Sequence, residues 1–339
     1  MSIITAPPKY LPSDQAAPLS TDPGISFTHR LPAASVHKTS AAEVLLTDAV
    51  RAGDGRFTVG AAWPRDRFLH HSGEGRSPDP LLLAETVRQT LILLSHRFHG
   101  VPQGHPFVLD RLDLELTGGA APLRPGAPAH VTLDVTCTRT VTTPRRTGLV
   151  LEAAASVDGV LIGRAGIRWE VLHPAFYQVV RYREARPTTA GAPERPEAPL
   201  GPLRRLAPGE VGYPGDEHVL LARDSSGVRG GFWLDPDPYH PVLFDHPSDH
   251  VAGMVLLEAF RQAGRAMGAP LHPAGLSATF TAFAEPDLPV AITVTPGPDR
   301  TGRAGGPDRP RTAEVTAAQR GVVLATARLA YPTDRQETS

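Results

Sequence analysis

The stretch DHPSDHVAGMVLLEAFRQAGRAMGAP, residues 245–270, decides the fold, because it predicts a loop that leads into a buried helix. Ser248 or Asp249 is suited to cap the start of this helix, and Gly268 is suited to end it. The residues between are apolar on nearly every face, which is typical of a helix enclosed by other structure. Glu258 interrupts the apolar run, and burying a carboxylate costs several kcal/mol unless it is paired. We therefore expect Glu258 to have a specific role.

The same pattern occurs earlier in the chain, at PDPLLLAETVRQT, residues 78–90. Glu85 and Glu258 are 173 residues apart (258 − 85 = 173), and the Arg and Gln of each Glu-x-x-Arg-Gln motif keep that spacing. Asp79 is a suitable N-cap for the first helix, and Gly100 is a suitable residue to end it. The sequence thus predicts two related helices.

The segments around the two helices also agree, in the same order. EVLLTD at 43–48 parallels HVLLARD at 218–224, and DGVLIGRA at 158–165 parallels RGVVLATA at 320–327. A repeat of this length with conserved order indicates that the chain is a duplication, with one domain per copy.

Composition changes along the chain predict the domain boundaries. Residues 1–33 are rich in Pro, Ala, Ser and Thr and are expected to form an extended N-terminal arm. Residues 183–210 are rich in Pro, Ala and Glu and are expected to be a linker. We therefore predict a first domain over 34–182 and a second over 211–332.

The sequence pattern of each copy predicts an α+β fold with one long helix among antiparallel strands. In the first copy, a strand starting at Val36 and a turn at Gly53 form a hairpin before the helix, and segments of alternating polarity follow it. Because the helix is apolar on most faces, the sheet must curl around it. The predicted fold is a tandem pair of curled sheets, each wrapped around one helix, an arrangement that resembles a double hotdog. We expect the two copies to pack as a pseudo-dimer within one chain, joined into one continuous β-surface, a layout compatible with a monomer.

Charge and cysteine content exclude several classes of protein. The 34 basic and 35 acidic residues show no long run of either sign, which argues against a nucleic-acid or polybasic membrane partner. The single cysteine, Cys137, excludes an intramolecular disulfide and a zinc site built from several cysteines. No apolar stretch approaches the roughly 20 residues that span a bilayer, and the N-terminus lacks a signal-peptide pattern. We expect a cytoplasmic protein.

The predicted fold resembles that of 3-hydroxyacyl-ACP dehydratases, which carry a loop His and, fourteen residues later, a helix Glu. His71 and Glu85 have that spacing, although no Phe-Pro-Gly follows His71. His246 lies only twelve residues before Glu258 (258 − 246 = 12). The dehydratase pattern therefore fits this chain incompletely.

A closer resemblance covers almost the whole chain, and four motifs in order carry it. These are HKTSAAEVLLTD (37–48), WPRD (63–66), PDPLLLAETVRQ (78–89) and DHPSDHVAGMVLLEAFRQA (245–263). They are similar to the A-factor biosynthesis (AfsA-type) hotdog family, which makes γ-butyrolactone or butenolide signalling molecules. The resemblance implies an acyltransferase that moves a β-ketoacyl group from acyl carrier protein to a hydroxyl of dihydroxyacetone phosphate.

We predict that Glu258 is the general base of this reaction, because burial raises a carboxyl pKa toward neutrality. Arg261 would stabilise it or bind the substrate phosphate, since a guanidinium matches phosphate with two hydrogen bonds. The alternative is a structural ion pair between these two residues. Glu85 and Arg88 are the corresponding candidates in the first copy, with function and structure equally open.

Further site candidates lie before the two helices and beside the Glu–Arg pairs. His71 and His246 are candidate catalytic histidines, with solvated loop residues as the alternative. Gly253, Gln262 and Gln89 are candidate substrate-binding residues, Gly253 through a helix N-terminal N–H that faces a thioester oxygen. The chemistry requires no metal and no nucleotide cofactor. Two rival functions stay open: a dehydratase or thioesterase on the same fold, and a catalytically inert acyl-binding regulator.

Overall fold

The structure is a computed structural model that describes residues 24–64, 79–117, 128–182, 198–297 and 312–332. The elements of the first half are β1 (Leu46–Gly53), β2 (Arg56–Trp63), α1 (Pro80–His99), β3 (Phe107–Leu116), β4 (Ala129–Thr142), β5 (Arg146–Val157), β6 (Val160–Leu172) and α2 (Pro174–Arg181). The elements of the second half are β7 (Arg204–Arg205), α3 (Pro208–Val211), β8 (Leu221–Arg223), β9 (Gly231–Leu234), α4 (Gly253–Ala266), β10 (Gly275–Phe280), β11 (Ala291–Pro296), β12 (Thr312–Gln319) and β13 (Val322–Ala330).

The described strands form one sheet in which the two halves repeat the same order. The first half runs β1-β2-β4-β5-β6-β3, and the second runs, inward from the short edge strand β7, β8-β9-β11-β12-β13-β10. Strands β3 and β10 pair antiparallel at the centre, with Leu114 opposite Leu276 and Leu112 opposite Ala278. The halves therefore share one continuous β-surface, as the sequence predicted.

The two long helices lie against the sheet and contact each other. Helix α1 packs on β3 and β6, and α4 packs on β11, β12 and β13. Both helices bury most of their length, including Glu85 at 3% and Glu258 at 0% exposure. This arrangement explains why neither helix is amphipathic in the ordinary sense, since each has sheet on one side and the other half of the molecule nearby.

The residues that bound α1 are those that the sequence predicted. The Asp79 carboxylate accepts a hydrogen bond of 2.8 Å from Leu81 N, which satisfies one of the open N–H groups of the first turn. Gly100 ends the helix with φ of 67°, a left-handed conformation that glycine adopts without steric strain.

Helix α4 begins later than predicted. Its N-cap is Ala252, and neither Ser248 nor Asp249 caps it. The Asp249 carboxylate instead accepts hydrogen bonds of 2.8 and 3.0 Å from the Tyr177 hydroxyl of α2. At Gly253 an added Cβ would lie 3.2 Å from Leu109 and 3.3 Å from Phe280, so the absence of a side chain permits close packing there.

Three expectations about the polar segments need revision. The strand predicted from Val36 does not start there: β1 begins at Leu46, and single 3₁₀ turns at Ala33–Val36 and Ala41–Glu43 precede it. The predicted arm ends in packed structure, because Ile25 is 8% exposed. The predicted linker contains β7 and the start of α3. We therefore propose that the second domain begins before Arg204 instead of at residue 211.

Cys137 lies in β4 and is buried. Burial raises the pKa of its thiol to about 12, so it is protonated and unreactive at neutral pH. No helix of the described residues is long and apolar enough to cross a membrane.

Candidate active site between the two halves

A cavity of about 390 Å³ lies where the first half meets the loop that precedes α4. Its walls come from α1, β3, β6 and α2 on one side, and from residues 242–256 and 280–284 on the other. Most of the lining is apolar and includes Phe107, Leu109, Trp169, Met254 and Phe280. Such a lining suits an acyl chain, and the charged residues at one part of it suit a polar group.

Glu85 of α1 is the centre of the charged part. Arg88 donates to it through two hydrogen bonds, Nε to Oε2 at 2.7 Å and Nη2 to Oε1 at 2.7 Å. Lys38 Nζ lies 3.2 Å from Glu85 Oε1. Burial alone would raise the pKa of Glu85, but Arg88 and Lys38 hold it well below its ordinary value. Glu85 is therefore ionised and is a weak base at neutral pH.

Gln89, the third residue of the motif, fixes the turn of α1 to the segment that leads into β1. Its Oε1 accepts a hydrogen bond of 2.8 Å from Leu45 N, and its Nε2 donates to Glu43 O at 2.8 Å. Nε2 also lies 2.9 Å from Glu85 Oε1. Gln89 does not line the described cavity, so its contacts support a positioning role for Glu85.

Two histidines join the charged part of the cavity. His246 lines it, and burial together with Arg88 and Lys38 lowers the pKa of His246 below its ordinary value. His37 also lines it, and burial with the nearby His96 lowers the pKa of His37 to about 4. Both rings are therefore neutral at physiological pH, and a neutral imidazole can accept a proton.

Asp245 fixes the loop of the second half onto the first half. Its carboxylate accepts hydrogen bonds from Thr39 N at 2.8 Å and from Ser40 N at 2.9 Å. Its Oδ2 also lies 3.7 Å from Nδ1 of the next residue, His246. Because Thr39 and Ser40 follow Lys38, this contact holds Lys38 and His246 on the same side of the cavity.

The second Glu–Arg pair has a different environment. Glu258 Oε1 accepts from the Tyr213 hydroxyl at 2.8 Å and from Gln262 Nε2 at 2.7 Å, and Arg261 Nε donates to Oε2 at 2.9 Å. Arg261 also donates to the Tyr213 hydroxyl. Glu258 is 0% and Arg261 1% exposed, and neither lines the described cavity.

The two sets correspond residue by residue. Gln262 accepts from Leu220 N and donates to His218 O, as Gln89 does with Leu45 and Glu43, which are 175 positions earlier (220 − 45 = 175; 218 − 43 = 175). The same offset places Tyr213 opposite Lys38 (213 − 38 = 175). Sequence reasoning missed Lys38, although this offset could have identified it as the residue facing the helix Glu.

Two predicted site residues remain, Gly253 and His71. Gly253 lines the cavity at the start of α4. The N-cap residue before it, Ala252, has no side-chain acceptor for the N–H groups of the first turn. His71 lies outside the described residues. In the parts of the chain that the structure describes, no group of three or more His, Cys, Asp or Glu side chains is arranged to hold a metal ion.

Comparison with known sequences identifies the family. The model of the A-factor biosynthesis hotdog domain matches residues 20–173 and 195–332. A 2-oxo-3-(phosphooxy)propyl 3-oxoalkanoate synthase of Streptomyces virginiae is 35% identical over 278 residues, which are 80% of this chain and 89% of that protein. The protein of the same name from Streptomyces coelicolor is 32% identical over 288 residues, covering 79% of this chain and 83% of its own. The chain belongs to the A-factor biosynthesis hotdog family, and its two matched segments confirm the predicted duplication.

The solved structures that match the chain are more distant. A 12:0-ACP thioesterase from Umbellularia californica is 11% identical, with a TM-score of 0.44 over 81% of this chain and 97% of its own. A hotdog protein from Alicyclobacillus acidocaldarius is 15% identical, with a TM-score of 0.42 over 84% of this chain and 97% of its own. With the two family matches and the single antiparallel sheet, the tandem hotdog fold predicted from the sequence is confirmed.

Proposed function

We propose that the protein transfers a β-ketoacyl group from acyl carrier protein to a hydroxyl of dihydroxyacetone phosphate, and that the reaction takes place in the cavity between the halves. The relatives' name describes an ester of this composition. The observation that carries the proposal is the charged group of Lys38, Glu85 and Arg88 at one part of an otherwise apolar cavity. An acyl chain and a phosphorylated acceptor need those two environments side by side.

The acyl transfer forms one C–O bond and breaks one C–S bond. The acceptor oxygen attacks the thioester carbonyl carbon, its proton passes to a base, and the carrier leaves as a thiolate that then takes the proton. His246 is the base that the geometry supports, because it lines the cavity and its lowered pKa keeps it neutral. Gly253 and Met254 line the cavity at the start of α4, and their N–H groups would stabilise the charge that develops on the carbonyl oxygen.

In this assignment neither Glu85 nor Glu258 is the general base. Glu85 would hold Lys38 and Arg88 in place for the phosphate, with Arg88 supplying a guanidinium. Glu258 would be a structural residue, held by Tyr213, Arg261 and Gln262. The expectation that Glu258 is the general base stays a prediction, and the paired variants below separate it from this proposal.

The direct test is mass spectrometry of products from purified protein, a β-ketoacyl carrier protein and dihydroxyacetone phosphate. We expect a phosphorylated β-ketoacyl ester and free carrier thiol in equal amounts. Free β-keto acid without ester would support the rival thioesterase function, and loss of water from a 3-hydroxyacyl substrate would support the dehydratase. Acyl-carrier binding with no turnover would support the inert regulator. Each of these results contradicts the proposal.

The paired variants Glu85→Gln and Glu258→Gln locate the reaction. Glu85→Gln removes the charge that holds Lys38 and Arg88, so we expect the KM for dihydroxyacetone phosphate to rise. Because both cations line the cavity, the accompanying loss in the free energy of unfolding should be smaller than for Glu258→Gln. Glu258→Gln leaves Arg261 buried without its counterion, so we expect a loss of about 3–5 kcal/mol in the free energy of unfolding. A Glu258→Gln protein with normal thermal stability and a turnover lowered about 10²–10⁴-fold would instead make Glu258 the base.

A further inference from the structure

We infer that Lys38 and Arg88 together form an anion site for the acceptor's phosphate, and that Tyr213 closes the equivalent position of the second half, so that the chain holds one such site. The inference rests on the proposed function, because it assigns the phosphate end of that same cavity. Its evidence is the placement of Lys38, a residue that the family motif of the helix does not include.

The side chains of Lys38 and Arg88 are nearly enclosed and have hydrogen-bond donors to spare. They are 7% and 14% exposed, and both line the cavity. Among the described residues, the ammonium of Lys38 has one partner, Glu85 Oε1, although an ammonium carries three donors. Arg88 uses Nε and Nη2 on Glu85, and within those residues its Nη1 makes no hydrogen bond. Two buried cations thus present open donors to one space.

The carboxylates nearby leave the remaining donors of Lys38 and Arg88 unfilled. Glu85 lies between the two cations and holds them apart at fixed positions. Asp245 lies close enough to raise the pKa of Arg88, but its two oxygens accept hydrogen bonds from Thr39 N and Ser40 N. A buried cation with unfilled donors is costly unless a ligand fills them. A phosphate group has several acceptor oxygens and fits a guanidinium and an ammonium at once.

The second half lacks this arrangement at the equivalent position. Tyr213 occupies the place of Lys38, and its hydroxyl donates to Glu258 Oε1 at 2.8 Å. A phenol supplies one donor and, with its pKa raised by burial, no positive charge and no anion at neutral pH. Within the residues that the structure describes, the cation that contacts Glu258 is Arg261, which is also bonded to Tyr213.

Kinetics with two acceptors test the inference. For Lys38→Met we expect the KM for dihydroxyacetone phosphate to rise about 10- to 100-fold, as for the loss of one hydrogen bond to a charged group. With unphosphorylated dihydroxyacetone as the acceptor, we expect the KM to rise much less, because that acceptor has no phosphate for Lys38 to bind. Lys38→Arg, which keeps the charge, should recover most of the affinity. The matched control Tyr213→Phe should leave the KM for the phosphorylated acceptor unchanged.

Two results would overturn the inference. One is an equal loss with both acceptors for Lys38→Met, which would make Lys38 a general positioning residue. The other is a rise in the KM of the phosphorylated acceptor for Tyr213→Phe as large as that for Lys38→Met.

A binding measurement separates this inference from the proposed function. Calorimetric titration with inorganic phosphate needs no turnover, and we expect one site per chain in the wild type that Lys38→Met weakens and Tyr213→Phe does not. If the wild type formed no ester but bound phosphate in this way, the proposed function would fail and the anion site would stand. If ester formed and Lys38→Met bound phosphate normally, the reverse would hold.

Discussion

The Glu, Arg and Gln of α1 and those of α4 make the same contacts with the backbone but have different fourth neighbours. In each set the Gln side chain also accepts a hydrogen bond from the backbone of the segment before the next strand. The donor is Leu45 N in one half and Leu220 N in the other. The fourth neighbour is the ammonium of Lys38 in the first set and the phenol of Tyr213 in the second. The residue at this position, Lys38 or Tyr213, therefore decides the net charge around the Glu-x-x-Arg-Gln motif. With Lys38 the group is cationic and has donors left for a ligand, and with Tyr213 it is neutral.

At the residue scale, the pH dependence of the reaction should report His246. Burial, Arg88 and Lys38 all disfavour the protonated ring, so its pKa lies below the ordinary value of about 6.5. We expect kcat/KM to be constant as the pH falls to about 6.5, and to decline only at lower pH, where the ring takes up a proton. Removing one cation with Lys38→Met should move that decline to higher pH. A wild-type decline centred above pH 6.5, or one that Lys38→Met leaves in place, would exclude His246 as the base.

At the element scale, α2 connects the end of the first half to the loop that carries His246. Arg181 is 5% exposed, and its Nη1 and Nη2 donate to the Glu285 carboxylate at 2.6 and 2.8 Å. Nη2 also donates to Asp249 O, and the Tyr177 hydroxyl donates to the Asp249 carboxylate. Tyr177 lines the cavity, so α2 is both a wall of the site and a clamp on the loop.

Removing this clamp should affect stability and turnover together. For Arg181→Met we expect a loss of about 2–3 kcal/mol in the free energy of unfolding, because hydrogen bonds to charged partners are lost at a buried position. We also expect a lower kcat at unchanged KM for the phosphorylated acceptor, since the loop with His246 moves and the anion site does not. Thermal melting and steady-state kinetics measure both.

The matched control is Arg205→Met, which breaks the half-exposed ion pair with Asp235. An exposed pair contributes about 0–1 kcal/mol, so this variant should behave like the wild type. Equal effects of the two substitutions would show that Arg181 has no special link to the site.

The ends of α1 were predictable from the sequence, and the start of α4 was not. Asp79 and Gly100 act on their own helix, so local capping rules suffice. Asp249 looked like a similar cap, but Tyr177, 72 residues earlier, takes its carboxylate. A capping rule that uses only neighbouring residues does not include a competing hydrogen-bond partner from the other half of the molecule. The strand predicted from Val36 failed for a related reason: that segment turns at His37, with φ of 54°, which places Lys38 over α1 instead of in the sheet.

At the scale of the whole molecule, the duplication was visible in the sequence, and the position of the cavity was not. The 173-residue offset of the two motifs needs only the printed chain. The cavity instead depends on how the loop at 242–254 meets α1, which involves contacts such as Asp245 with Thr39 and Ser40. The sequence analysis made Glu258 the predicted base and left Glu85 equally open between a functional and a structural role. Their different surroundings appear only when the halves are assembled.

Cleavage between the halves should leave them together. A protease site inserted between residues 183 and 197 would cut the chain without touching β3 or β10. Because these strands pair over five positions, and α1 also contacts α4, we expect the two fragments to co-elute on size-exclusion chromatography and to keep ester-forming activity. Separation of the fragments under native conditions would show that the linking segment, not the sheet, holds the halves together.

The joining of both halves in one polypeptide has a further consequence for how such a site can change. In a dimer of identical subunits, every substitution appears twice, so a lysine placed over one helix would also appear over the other. Here a single gene encodes the two positions separately, and they already hold different residues, Lys38 and Tyr213. One half is therefore free to vary its ligand chemistry while the other keeps a neutral, well-packed interior that maintains the shared sheet.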